Sequence, residues 1–193
     1  AILAVHAHGA SETLFEETFD TNTTGEWSSS SGAPLFDHQG WTYDTAYKAH
    51  YAIRIGKGSG GVGSATTPEI ELGTGWSQAT VTVTFEAAAW YGYSSGLTLS
   101  IIEGGSTTVI DSWSVKKIAD NSTDASSITD LSAFTADSTG KAYSATFSVS
   151  GPFQLVFATT GTGNNCRSYL DSVHVEGEQP SGPSPLSAPA VRT

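Results

Sequence analysis

A chain of 193 residues with 19 acidic against 8 basic side chains has a formal net charge of −11 and a pI near 4.6, which opposes binding to nucleic acid or an anionic membrane. Only 14% of the residues are charged, and the abundance of Ser, Thr and Gly suits short strands joined by tight turns rather than helices. A single cysteine, Cys166, rules out an intramolecular disulfide, and no uninterrupted apolar run reaches the roughly 18 residues of a membrane span.

In chain order, residues 1–12 form an N-terminal tail. Its Ala-rich opening reads either as the end of a signal peptide or as an arbitrary boundary. Leu14–Phe19 is the first expected strand, with Phe15, Glu17 and Phe19 on one face if alternation is strict. Trp41–Ile55 supplies the second, in which Tyr51, Ile53 and Ile55 share a face, and Gly56–Gly63 is a glycine-rich connection. Pro68 places the segment up to Leu72 at a sheet edge or a strand start, because proline has no N–H to give to a ladder. Ala79–Trp90 has the clearest pattern, with Val81, Val83 and Phe85 on one face and Thr80, Thr82, Thr84 and Glu86 on the other.

Leu97–Ile102 and Thr107–Val115 form a hairpin around Glu103-Gly104-Gly105-Ser106, since a glycine pair supplies positive φ in a tight turn. Residues 116–141 read as a surface connection with one helical turn near Ile128–Phe134. Ala145–Val149, Phe153–Ala158 and Ser168–Val175 complete a set of nine or ten strands. The expected fold is therefore an all-β sandwich of two antiparallel sheets over residues 13–177. Residues 178–193 are a Pro/Ser-rich linker whose Leu186-Ser187-Ala188-Pro189 resembles the entrance to a fibronectin type III repeat, as in one module of a multidomain protein.

Strict alternation groups Asp171 with Tyr169, Val173 and Val175, and Glu17 with Phe15 and Phe19, so both carboxylates are expected to point inward. Burying them ionised is costly unless each meets a cation, an arginine such as Arg54 or Arg167, a shared proton, or water at the rim. Asp20 offers a third oxygen ligand should the partner be calcium.

The succession Phe15-Glu16-Glu17-Thr18-Phe19-Asp20, Pro34-Leu35-Phe36-Asp37-His38, Thr67-Pro68-Glu69-Ile70 and Ser168-Tyr169-Leu170-Asp171-Ser172-Val173 resembles MAM domains. It resembles still more the cleaved-adhesin, or choice-of-anchor, modules of secreted bacterial proteins, over roughly residues 14–175. This resemblance implies a jelly-roll module used in adhesion, secreted or displayed at the cell surface. It also implies a structural calcium held by acidic residues of the first strand and the end of the last, which by position are Glu17, Asp20 and Asp171. Ser172 stands where these modules carry a second aspartate, and their aspartate-rich loop is lacking, so a second calcium is not implied.

The five tryptophans, with Tyr91 and Tyr93, exceed what a core of this size needs, and aromatic faces with a polar rim suit stacking on sugar rings. Trp41 and Trp113 read as core, whereas Trp90 shares a strand face with Ala88 and Glu86. Glu86, Trp90, Tyr91 and Tyr93 are therefore the candidate glycan-binding residues. Gly56, Gly58 and Gly61 match a dinucleotide pattern, but no helix follows. His6 and His8 lack further ligands, no Gly-x-Ser-x-Gly elbow occurs, and Cys166 has no activating partner beyond Arg167. The expected function is a monomeric, non-catalytic adhesion or carbohydrate-binding module whose partner is a glycan or a host or cell-surface protein. The alternatives are a spacer or protein-interaction domain attached to a secreted enzyme, and a small glycoside hydrolase, which needs two carboxylates about 5 to 10 Å apart across a cleft.

Overall fold

The computed structural model describes residues 9–22, 32–49, 51–58, 61–89, 95–115 and 142–180, and these fold as a two-layer antiparallel β-sandwich. In chain order the strands are β1 (Ser11–Glu17), β2 (Thr42–Asp44), β3 (Ala46–Ala49), β4 (Ala52–Ile55), β5 (Ser64–Thr66), β6 (Ala79–Ala89), β7 (Ser95–Glu103), β8 (Ser106–Val115), β9 (Ala142–Val149), β10 (Phe153–Thr160) and β11 (Ser168–Glu178). A 3₁₀ turn, Gly163–Cys166, leads into β11.

One sheet has the order β3-β4-β11-β6-β9, and the other runs β2-β5-β10-β7-β8. The first and last strands pair: β1 lies against the second half of β11, from Glu17 opposite Val173 to Ser11 opposite Glu178. β4 pairs with the first half of the same edge, Ser168–Leu170. Along its other edge β11 is covered by β6. Strand pairing thus extends slightly beyond 13–177, and the Gln179 N–H donates to the Ala10 carbonyl at 2.9 Å.

Alternation explains the core. Val81, Val83, Phe85, Ala87 and Ala89 of β6 meet Leu97, Leu99 and Ile101 of β7 and Phe153, Leu155 and Phe157 of β10 between the layers. Phe85 is the centre of an aromatic cluster, edge-on to Trp113 and Phe157 at 5.2 Å and stacked on Tyr143 at 5.6 Å. Trp41 is buried in this core and Trp113 packs against it. The β7–β8 hairpin turns through Gly104 and Gly105, both at positive φ, between the paired Glu103 and Ser106.

Two expectations for strands differ from the fold. Trp41–Ile55 is three strands rather than one: β2 belongs to the five-stranded sheet, and β3 and β4 to the six-stranded one. The chain changes sheet at Thr45 (φ 50°) and turns again at Tyr51 (φ 56°), two left-handed residues that a period-two pattern does not reveal. The strand near Pro68 is Ser64–Thr66 and stops before the proline, with Ile70 making an isolated bridge to Phe153. The connection at 116–141, Trp27, His6, His8 and the tail from 181 lie outside the described residues.

Candidate functional site

Glu17 closes β1 on the core side of its sheet, as the alternation implies, and is 1% exposed. Its carboxylate accepts four N–H bonds: from Phe19 (3.2 Å), Asp37 (2.9 Å), His38 (3.2 Å) and the Trp41 indole (3.0 Å). His38 Nδ1 lies 3.6 Å away. Burial pushes the Glu17 pKa up, and the backbone N–H groups of Asp37, His38 and Phe19 work against that rise. Hydrogen bonds therefore satisfy this carboxylate within the chain. What they tie together are two loops, because Asp37 in turn accepts from Thr18 Oγ1 (2.7 Å) and the Thr21 N–H (3.1 Å). Burial raises the Asp37 pKa, but these Thr18 and Thr21 bonds outweigh it and leave the group below its ordinary value. Buried Asn22 completes the joint by donating to the Phe19 and Leu35 carbonyls and accepting from the Leu35 N–H.

Asp171 is buried, yet not between the layers. Strict alternation fails at Ser172, which sits at φ 51° in a bulge where two residues of β11 oppose one of β6. Leu170, Val173 and Val175 enter the core, while Tyr169, Asp171 and His174 register with Ala88, Glu86 and Thr84 on the opposite, outer face. Glu17 and Asp171 thus lie on opposite faces of one sheet, which corrects the inward expectation for Asp171.

The outer face carries a polar cluster. Tyr47, Arg54, Tyr169 and Ala88 form a row across β3, β4, β11 and β6. Arg54, only 2% exposed, holds its guanidinium 5.1 Å from the centre of the Tyr47 ring and hydrogen-bonds Tyr169. Burial lowers the Arg54 pKa and raises that of Tyr169, and the attraction between the two groups opposes both shifts. One step along the strands, Asp171 stands directly opposite Glu86. Burial, helped by the charges of Glu86 and Asp20 and opposed by the Ser172 N–H 2.8 Å away, lifts the Asp171 pKa to about 7.

Of the sequence-predicted residues, this face brings together Asp171 and Glu86, with exposed Asp20 within electrostatic reach, and leaves Glu17 on the other side. Among the described residues, no three His, Cys, Asp or Glu side chains converge tightly enough to hold a metal ion. Trp90, Tyr91 and Tyr93 follow β6 directly in the chain and lie outside the described residues. Sequence reasoning missed Tyr47 and Tyr169 as parts of a site and named Arg54 only as a partner for a carboxylate. Their signal is burial on both faces: β4 is buried at all four positions, and so are Ala87–Ala89 of β6 and Ser168–Asp171 of β11. Runs without polar alternation mark a sheet covered on both sides.

No protein-family model matches the sequence, and no curated protein matches it significantly. Among solved structures, the chain is similar to the K3 cleaved adhesin domain of Lys-gingipain from Porphyromonas gingivalis, at 11% identity and a TM-score of 0.51, covering 86% of this chain and 99% of that one. The K2 cleaved adhesin domain of Lys-gingipain matches at 15% identity over 88% and 100% of the two chains, with a TM-score of 0.49. The xylan-binding CBM22-1 domain of Xyn10C from Paenibacillus barcinonensis matches at 11% identity over 90% and 99%, with a TM-score of 0.47. At such identities likeness extends to fold alone, and the fold is an adhesin-like jelly-roll sandwich.

Proposed function

We propose that this chain is a non-catalytic extracellular binding module that takes up glycan on the outer face of its six-stranded sheet, beside a cation held by Asp171. The observation that carries this reading is the Tyr47–Arg54–Tyr169 row with the Asp171–Glu86 couple. A two-layer sandwich needs only the inner face of each sheet for its core; on the outer face Arg54, Tyr169 and Asp171 are buried and support Tyr47 and Glu86, through which the polar cluster reaches solvent. Their chemistry suits a sugar, which presents apolar C–H faces to rings and hydroxyls to directional polar groups. Tyr47 and Glu86 are half-buried and stand where a ligand can reach them.

The cation part of the proposal rests on Asp171, with Glu86 opposite it, rather than on Glu17, whose oxygens are filled by N–H donors; backbone carbonyls and water would supply the remaining oxygens. A carboxyl lifted toward neutrality by burial and by two acidic neighbours suits an oxygen-seeking divalent ion, with calcium the natural candidate. Hydrolysis is the weaker reading. Glu86 and Asp171 project side by side from one face rather than from opposing walls, so no glycosidic bond passes between them.

Binding to an array of neutral and acidic glycans tests the reading. Glu86→Ala and Trp90→Ala are each expected to weaken capture of a bound glycan by roughly 1 to 3 kcal/mol while leaving the melting temperature close to that of the parent. Unchanged capture by both variants removes the outer face from the account. Failure to bind any glycan, with a cell-surface protein bound instead, makes the module a protein-interaction domain.

A further inference from the structure

At the far end of β11 from Asp171, the β5–β6 connection and the β9–β10 turn enclose a trough of about 390 Å³. Trp76 lies in its wall, with Glu71, Leu72, Ser150, Gly151 and Pro152 among its lining residues. The indole is held in place by backbone. A Cβ at Gly73 would come within 2.7 Å of the Trp76 ring, and one at Gly177 within 3.1 Å, so the ring lies flush against two glycines. The Trp76 N–H donates to the Gly73 carbonyl at 2.9 Å, which closes the turn that carries it. Across the trough, Ser150 is fixed by its N–H (2.5 Å) and hydroxyl (3.0 Å), both donating to Glu103.

An aromatic ring immobilised before any ligand arrives, facing small and hydroxylated residues, loses little entropy on stacking. The volume lies in the lower part of the roughly 300–1,000 Å³ range of small-molecule sites, which is room for one or two sugar rings. None of the lining residues is basic, Glu71 is acidic, and the Glu12 carboxylate approaches Gly73, so the electrostatics reject anions.

We propose that this trough is a second saccharide site, taking one or two rings of a neutral glycan on the Trp76 indole. It is separate from the outer-face site by roughly 15–20 Å along β11. It does not rest on that reading, and two such sites on one module would favour polymeric glycan through avidity.

The test is a titration of the intact chain with cellohexaose, xylohexaose, mannohexaose, galactohexaose and an oligogalacturonate, following the Trp76 indole N–H by NMR. At least one neutral oligosaccharide is expected to shift this resonance, and the anionic one is not. Trp76→Ala should remove the site, but Trp76 also packs on the core, so Gly151→Gln is the decisive variant. Gly151 lines the trough and a Cβ there meets nothing within 4 Å, so a longer side chain is accommodated without a clash and should occlude the trough, and affinity at Trp76 should fall about tenfold. The proposal is overturned if no neutral oligosaccharide shifts Trp76, if the anionic one binds there in preference, or if Gly151→Gln leaves the titration unchanged. Glu86→Ala separates the two sites: it should raise the ligand concentration needed for the outer-face shifts and leave the Trp76 titration unchanged.

Discussion

Replacing Glu17 by alanine is expected to destabilise the domain by about 3–5 kcal/mol, the range for removing one partner of a buried charged network. The substitution strands the N–H groups of Phe19, Asp37 and His38 and the Trp41 indole around a space where the carboxylate was. Those donors belong to the loop after β1 and to the 34–41 segment, so their loss unties the end of β1 from the core tryptophan. Glu17→Gln should fall between parent and alanine, because the amide retains one acceptor oxygen but turns an N–H₂ toward donors. Urea unfolding of the three proteins provides the comparison. A loss below about 1 kcal/mol for Glu17→Ala, the worth of one ordinary hydrogen bond, would contradict the role assigned to this network. The same experiment with chelator separates hydrogen bonding from metal ligation, since a cation ligand would make chelation of the parent mimic the mutation.

Stability is expected to fall as pH rises from about 4 to about 7, and Asp171 is the cause. Its pKa is about 7 in the folded state against 3.8 for an ordinary aspartate, chiefly through burial. Within that window the folded state keeps a proton that the unfolded chain has lost. Stability therefore falls with rising pH, to a total of up to about 4 kcal/mol once both states are ionised. Asp171→Asn should flatten this slope and leave the variant more stable than the parent at pH 8. Calcium sharpens the test. By binding the ionised carboxylate it should restore stability to the parent at pH 8, have little effect near pH 5, and do nothing for Asp171→Asn. Calorimetry across pH with and without calcium checks all three. Parallel curves for parent and variant would show that Asp171 is not strained by burial, and a parent indifferent to calcium at pH 8 would remove the cation from the proposed function.

The strand pattern was legible where one face is core and the other polar. β6 alternates almost without fault, the Gly104-Gly105 turn carries its own chemistry, and the inward position of Glu17 follows from Phe15 and Phe19. Reading failed where backbone conformation, rather than residue type, set the outcome. Ser172 is an ordinary serine in composition, yet its left-handed φ turns Asp171 to the outer face. Thr45 likewise gives no sign that the chain changes sheet there. The outer-face cluster was hidden for another reason. Its strands are covered on both sides and carry small or apolar residues at successive positions, as in Ala87-Ala88-Ala89, so period two disappears where the site is built. Asp171 and Glu86 were singled out separately, one for a cation and one for a glycan, and only the β6–β11 register sets them opposite each other.

The most direct test of the binding-face account is an NMR titration of the isotopically labelled chain with the glycan that it captures best. The account predicts that amide shifts gather on the outer positions of β4, β6 and β11, around Arg54, Glu86, Tyr169 and Asp171, whatever is also seen at Trp76. Shifts confined to the five-stranded sheet, or none in β4, β6 and β11 while glycan is bound, would contradict it.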